Sequence, residues 1–115
     1  MRHLMAYEQW DVAIVPFPFV NSLKSKPRPV LVLSNASFNL QTGHYIAAMI
    51  TSSSQNPWAG DTEIKNIEEA GLNKPSLVRL KLFTMDERIV KRKIGRLSNN
   101  DVVNVRSSMN SHISI

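Results

Sequence analysis

Two short apolar runs constrain this chain more than any other feature. Lys26-Pro-Arg-Pro-Val-Leu-Val-Leu-Ser34 and His44-Tyr-Ile-Ala-Ala-Met-Ile-Thr-Ser52 each read as a short buried strand, with a loop of about ten residues between them. Paired as an antiparallel hairpin around that loop, they put Ser34 opposite Tyr45 and Arg28 opposite Thr51. A slip of one residue would turn every side chain to the other face. In this register a cation and a hydroxyl meet at the open end of the hairpin, next to Lys24, Lys26, Ser52 and Ser53. Such a cluster suits the grip of a phosphodiester, whose oxygens accept charge-assisted hydrogen bonds from Arg and Lys.

The rest of the chain continues the β pattern. Residues 11–15 form a strand with Val12 and Ile14 on one face and Ala13 and Val15 on the other; Pro16 and Pro18 end its pairing or put it on an edge. Residues 21–27 are a polar, basic loop. Residues 53–60 are a Ser-rich loop carrying Trp58, residues 61–64 a short strand, and residues 68–75 a turn region with Gly71 and Pro75. Two further strands are expected at 76–82 and 87–94, around Met85-Asp86. A helix closes the chain: Ser98 is its cap, Asp101 completes a capping box with Asp in place of Glu, and Leu97 with Val102 makes a hydrophobic staple. Val102, Val105, Met109 and Ile113 then fall on one stripe that packs on the sheet. Several short strands and one terminal helix imply a small, strongly bent sheet or barrel.

At 115 residues the chain is expected to be one domain, 1–115, long enough for a core without staples. It has no cysteine, which fits a reducing cytoplasm. Glu8 and Asp11 interrupt the N-terminus before any secretory apolar run develops, and no apolar run approaches the ~20 residues that cross a bilayer. The expectation is a soluble, cytoplasmic protein with no membrane association. The net charge is +5, and seven of the fourteen basic residues fall between Lys81 and Arg106, whereas residues 61–69 are mostly acidic. A basic domain favours polyanions, chiefly nucleic acid, and acidic protein segments.

Several segments together resemble one family. Asp11-Val-Ala-Ile-Val-Pro-Phe-Pro-Phe19 looks like the opening strand of the MazF/PemK-type toxin endoribonucleases, and Arg28-Pro-Val-Leu-Val-Leu-Ser34 like their Arg-Pro strand. Ile50-Thr-Ser-Ser53, Gly60-Asp-Thr-Glu-Ile64, residues 71–82 and Lys93-Ile-Gly-Arg-Leu-Ser98 resemble the later elements in the same order. The resemblance implies an SH3-like β-barrel of about five to seven strands with a C-terminal helix, and a homodimer. It implies metal-independent, sequence-selective cutting of single-stranded RNA, often messenger RNA, with no cofactor. It also implies inhibition by an acidic antitoxin laid across the RNA groove. By the same resemblance Arg28 and Thr51 are the catalytic pair, Ser52 and Ser53 lie near substrate, and Arg79 matches a basic position that some members use. The acidic residue found nearby in some members is absent, since Leu80 and Lys81 follow directly. Trp10 stands where a Gly commonly precedes the first Asp, a change expected to be structural.

The residues bear on the chemistry without the family. Metal-free RNA cleavage uses the ribose 2′-hydroxyl as nucleophile and needs charge stabilisation on the phosphorane. His3, His44 and His112 are far from Arg28 in this reading, and no His, Asp or Glu cluster has metal-ligand spacing. A guanidinium keeps its proton to above pH ~12, so Arg28 is assigned first to stabilising charge and second to proton transfer. Thr51 would hydrogen-bond a phosphate oxygen; the sequence leaves open how the 2′-proton departs. Lys24, Lys26, Arg79 and Lys81 join Ser52 and Ser53 as candidate substrate contacts. Trp58 reads first as core or a dimer contact and second as a stacking platform for a base. Lys91-Arg92-Lys93 reads as a solvated strand edge. Two other functions fit the same barrel: a non-catalytic toxin that poisons DNA gyrase, and a nuclease-dead RNA- or protein-binding module.

Overall fold

The computed structural model describes residues 7–17 and 25–114. Six strands and two α-helices follow in the order β1 (Asp11–Phe17), β2 (Lys26–Val32), α1 (Ala36–Thr42), β3 (His44–Ser52), β4 (Thr62–Glu63), β5 (Ser76–Asp86), β6 (Arg92–Arg96) and α2 (Asn99–Ile113). The strands form one antiparallel sheet, ordered β4-β5-β3-β2-β1-β6 and curled into a half-barrel.

The central strands are apolar on both faces because both faces are covered. Val12, Leu31, Leu33, Ala48 and Ile50 point into one cluster, closed by Leu97 and Val105 and flanked by Val102 and Met109 of α2. Ala13, Val15, Val30, Val32, Tyr45 and Ala47 point into the other, closed by Met85. A fully buried Val or Leu contributes roughly 1.5–3 kcal/mol, so these two layers dominate the fold's stability. Ile113, at the end of the expected stripe, stays exposed.

The β2–β3 register is the expected one: Val30 pairs with Met49, Leu31 with Ala48 and Val32 with Ala47. The ladder does not run on to Arg28 and Thr51. Pro27 and Pro29 have no N–H to donate, so β2 leaves β3 there while still lying against β1. At the other end Ser34 meets Ile46 rather than Tyr45. The N–H groups of Leu33 and Ser34 both donate to the Ile46 carbonyl, and Ile46 N–H donates to Ser34 Oγ.

Other local expectations are corrected. The supposed loop between β2 and β3 contains α1, capped by the Asn35 side chain at its start and by Gly43 at φ 67° at its end. The first of the two late strands does not stop at residue 82. It runs to Asp86 as β5, accommodating Leu80 and Lys81 as a bulge between the pairs Ala48–Leu82 and Met49–Arg79. Asp86 then caps a 3-10 turn, Glu87–Ile89, and the last strand begins only at Arg92. In α2, Asp101 N–H donates to Ser98 Oγ as expected of a cap. The Asp101 carboxylate does not complete the box; it is fully buried and accepts the N–H groups of Lys65 and Asn66.

Two contacts fix the edge that frames the site. Buried Asp11 pairs with Lys93 at 3.2 Å and Arg96 at 3.3 Å, holding β6 to β1. The turn before β5 then docks on β6 backbone to backbone: a Cβ at Gly95 would overlap the Ala70 carbonyl, and Gly71, at φ 77°, faces the Ile94 carbonyl just as closely.

Candidate functional site

The end of β2 that the prolines free from β3 opens into a concavity of about 430 Å³. Its floor follows from the registers. Ile14 of β1 pairs with Pro29 on one side and Arg92 on the other, so three neighbouring strands supply a row across it. Arg28 and Thr51, one step beyond that row, both line the concavity, and Ser52 joins them. The 71–74 turn closes the opposite wall with Leu72, Asn73 and Lys74. Arg28, Lys74 and Arg92 are exposed, so their charges face solvent and any ligand that enters.

Among the described residues the lining contains three cations, the hydroxyls of Thr51, Ser52 and Ser76, and the amides of Gln55 and Asn73, and no carboxylate or imidazole. Such a surface is complementary to a phosphate-bearing chain, for which cations and neutral donors serve both attraction and hydrogen bonding. Among the described residues no group of three His, Cys, Asp or Glu side chains could hold a metal ion.

The structure brings together Arg28, Thr51 and Ser52 of the residues expected from sequence. Lys26 lies two residues before Arg28 on β2, exposed, paired with Phe17. Ser53 is exposed beside the rim, its N–H donating to the Pro75 carbonyl. Lys24 lies outside the described residues. Arg79 and Lys81 are not in the lining; they gather around Trp58 on the 53–61 loop. Arg79 departs from the expected open cation. Its Nε and Nη2 donate to the two oxygens of Asp61 at 3.0 and 2.9 Å, and Nη2 also reaches the Asn56 carbonyl at 2.7 Å. The Asp61 hydrogen bond is the main reason its guanidinium is held still more firmly in the protonated form.

Lys74 and Arg92 were missed as members of the site. They lie 18 positions apart in sequence and meet only because the turn docks on β6. The Lys91-Arg92-Lys93 run did mark the stretch, but its reading as a bare solvated edge hid the fact that Arg92 leans over the concavity while Lys93 is spent on Asp11. His44 and His112 sit elsewhere, each with Nδ1 at 2.8 Å from a local carbonyl; His3 lies outside the described residues. Trp10 is structural, as expected. It is buried at φ 76°, a conformation glycine adopts freely, and Arg106 stacks over its ring at 5.6 Å.

A curled antiparallel sheet with a C-terminal helix, carrying a basic concavity where β2 and β3 part, defines a recognisable class of small toxins. Residues 8–113 match the profile of the PemK-like, MazF-like toxins of type II toxin–antitoxin systems, and the chain belongs to that family. Solved structures agree in fold. The Mycobacterium tuberculosis toxin MazF-mt6 superposes with a TM-score of 0.73 at 21% identity, over 91% of this chain and 97% of its own. MazE–MazF from Deinococcus radiodurans gives 0.76 at 17% identity, over 96% and 99%. An endoribonuclease in complex with its cognate antitoxin, from a mycobacterial species, gives 0.74 at 12% identity, over 96% and 97%. Among curated protein sequences none matches. No helix among the described residues is long and apolar enough to cross a membrane.

Proposed function

We propose that this toxin is an endoribonuclease that cuts single-stranded RNA at short sequence motifs without a metal ion. The observation that carries the reading is the convergence of Arg28, Thr51 and Ser52 in one carboxylate-free concavity flanked by Lys74 and Arg92. The scissile phosphate lies between the Arg28 guanidinium and the Thr51 hydroxyl. The ribose 2′-oxygen attacks phosphorus, the bond from phosphorus to the 5′-oxygen breaks, and the 5′-oxygen leaves with a proton. Arg28 offsets the charge that grows on the non-bridging oxygens, and Thr51 donates a hydrogen bond to one of them, the electrostatic work that dominates such steps. Water takes the 2′-proton and supplies the one that leaves with the 5′-oxygen. Lys74 and Arg92 hold the neighbouring phosphates and fix the strand's direction. The whole chain acts as one domain, paired as a homodimer, and an acidic antitoxin segment silences it by occupying the same basic surface.

Purified protein on a long single-stranded RNA in EDTA tests this. The expected products end in a 2′,3′-cyclic phosphate and a 5′-hydroxyl, at a small set of sequence sites. Cleavage only after a divalent ion is restored, or products ending in a 5′-phosphate, would overturn the mechanism. RNA binding without any cleavage would make the protein a binding module instead.

A further inference from the structure

A second feature lies along the loop that leaves the concavity. Trp58 keeps 45% of its surface open, yet its turn is tied down by several hydrogen bonds. Trp58 N–H donates to Asp61 Oδ2 at 3.0 Å, and Asp61 N–H donates back to the Trp58 carbonyl at 3.1 Å. Asp61 also grips Arg79 of β5 with both oxygens. Ser108 of α2 donates to the Gly60 carbonyl at 2.6 Å, and Leu80 packs so closely on Gly60 that a side chain there would have to displace it. Strand β5 and helix α2 therefore hold the turn that carries the exposed indole. Burial of Trp58 is not what these contacts achieve, because they run through the backbone and through Asp61.

The indole is also surrounded by positive charge. Lys81 Nζ lies 4.8 Å and Arg79 Cζ 5.6 Å from the ring centroid. The β5 bulge is what delivers Lys81, since Leu80 and Lys81 are the residues left without partners on β3. Asp61 neutralises Arg79, whose side chain is only 11% exposed. Lys81 is exposed and makes no salt bridge among the described residues. A half-exposed indole with one uncompensated cation over its ring matches one chemistry closely: a nucleobase stacked on the open part of the ring, with its phosphate on the ammonium. Trp58 follows Gln55 of the concavity by three residues, at most ~11 Å of extended chain.

We propose that Trp58 is a stacking seat for one base of the single-stranded RNA, a few nucleotides from the cut, with Lys81 gripping the adjoining phosphate. The inference rests on the RNA reading above and adds a position to it. Since stacking is tolerant of base identity but stronger for larger rings, the seat favours a purine over a pyrimidine.

The test uses the full chain and a fully 2′-O-methylated, mixed-sequence single-stranded oligonucleotide, which binds but cannot be cut. Titration is expected to quench the tryptophan fluorescence, and the quench disappears in Trp58→Ala, where only buried Trp10 remains. Trp58→Ala is expected to bind roughly tenfold more weakly, and Trp58→Phe to recover most of that loss. Lys81→Ala is expected to lower the slope of log affinity against log salt by about 0.7. Trp58→Ala binding as tightly as the parent, or no binding of the probe by the parent, overturns the seat. So does a shift of Trp58→Ala from dimer to monomer in sedimentation, which would make the indole a contact between copies. Because the probe cannot be cleaved, a positive result stands even if RNA is never cut, and cleavage with unchanged Trp58→Ala binding removes only the seat.

Discussion

Asp101 offers the sharpest test of how the terminal helix is attached. Its carboxylate is fully buried and accepts Lys65 N–H on one oxygen and Asn66 N–H on the other, each at 3.0 Å. Asp101→Asn keeps the shape but turns one acceptor into a donor facing an N–H. One charge-assisted hydrogen bond is lost and one backbone donor is left unpaired, at a cost of about 2–3 kcal/mol. The favourable charge in the first turn of α2 goes too, a further ~0.5 kcal/mol. At roughly 4 °C per kcal/mol for a chain of this size, the melting temperature should fall by about 10–14 °C. Ser98→Ala in the same helix removes only the cap, costing ~1 kcal/mol or about 4 °C. Thermal unfolding followed by circular dichroism reads both. If Asp101→Asn melts no lower than Ser98→Ala, the carboxylate is not the latch between the 65–66 turn and α2, and the reasoning fails.

Three other outcomes follow from the same geometry. Lys74→Ala and Arg92→Ala should each raise KM several-fold with kcat nearly kept, and each should flatten the salt dependence of RNA binding by about 0.7; unchanged slopes would remove both residues from the phosphate path. Gly95→Ala should cost about 1–3 kcal/mol in denaturant unfolding, because its methyl must push the Ala70 carbonyl off β6, and cleavage should slow as the 71–74 wall shifts. Burial, helped by the Glu87, Tyr7 and Asp11 charges and opposed by the Tyr7 N–H bond, pushes the Tyr45 phenol up from 10.0 to about 12. The fold thus favours the neutral ring, so this stability is complete below pH 10 and lost as pH rises towards 12, by about 2 kcal/mol. Tyr45→Phe should flatten that alkaline decline, and an equal decline in the variant would contradict it.

The heart of the candidate site was legible because it depends on short-range rules. Alternating Val, Leu and Ala in β2 and β3 fixed one register, although the parting of the strands short of Arg28 and Thr51 was not expected. What escaped depends on tertiary contact. The helix α1 buries a single residue, Asn39, so it carries no amphipathic stripe, although Asn35 and Gly43 were proper end signals. The run from Ser76 to Asp86 is one strand because β3 pairs with it on both sides of the bulge, which no local preference encodes. Asp101 looked like half of a capping box, and the competing N–H groups lie some 35 residues away in sequence. Arg79 looked available for substrate until Asp61 was seen to hold it. In each case a distant polar partner or backbone pairing outweighed the nearby pattern.

The central claim is that Arg28 and Thr51 act on the same phosphate. A double-mutant cycle on single-turnover RNA cleavage measures this directly, with Arg28→Ala, Thr51→Val and the pair, each checked for unchanged melting. Arg28→Ala alone should slow cleavage by at least about 10²–10³-fold. Groups that work as one unit are strongly non-additive, so the double variant should be slower than the worse single by no more than roughly threefold. A double variant whose loss equals the product of the two single losses would mean that the guanidinium and the hydroxyl serve separate ends, and the account would be wrong.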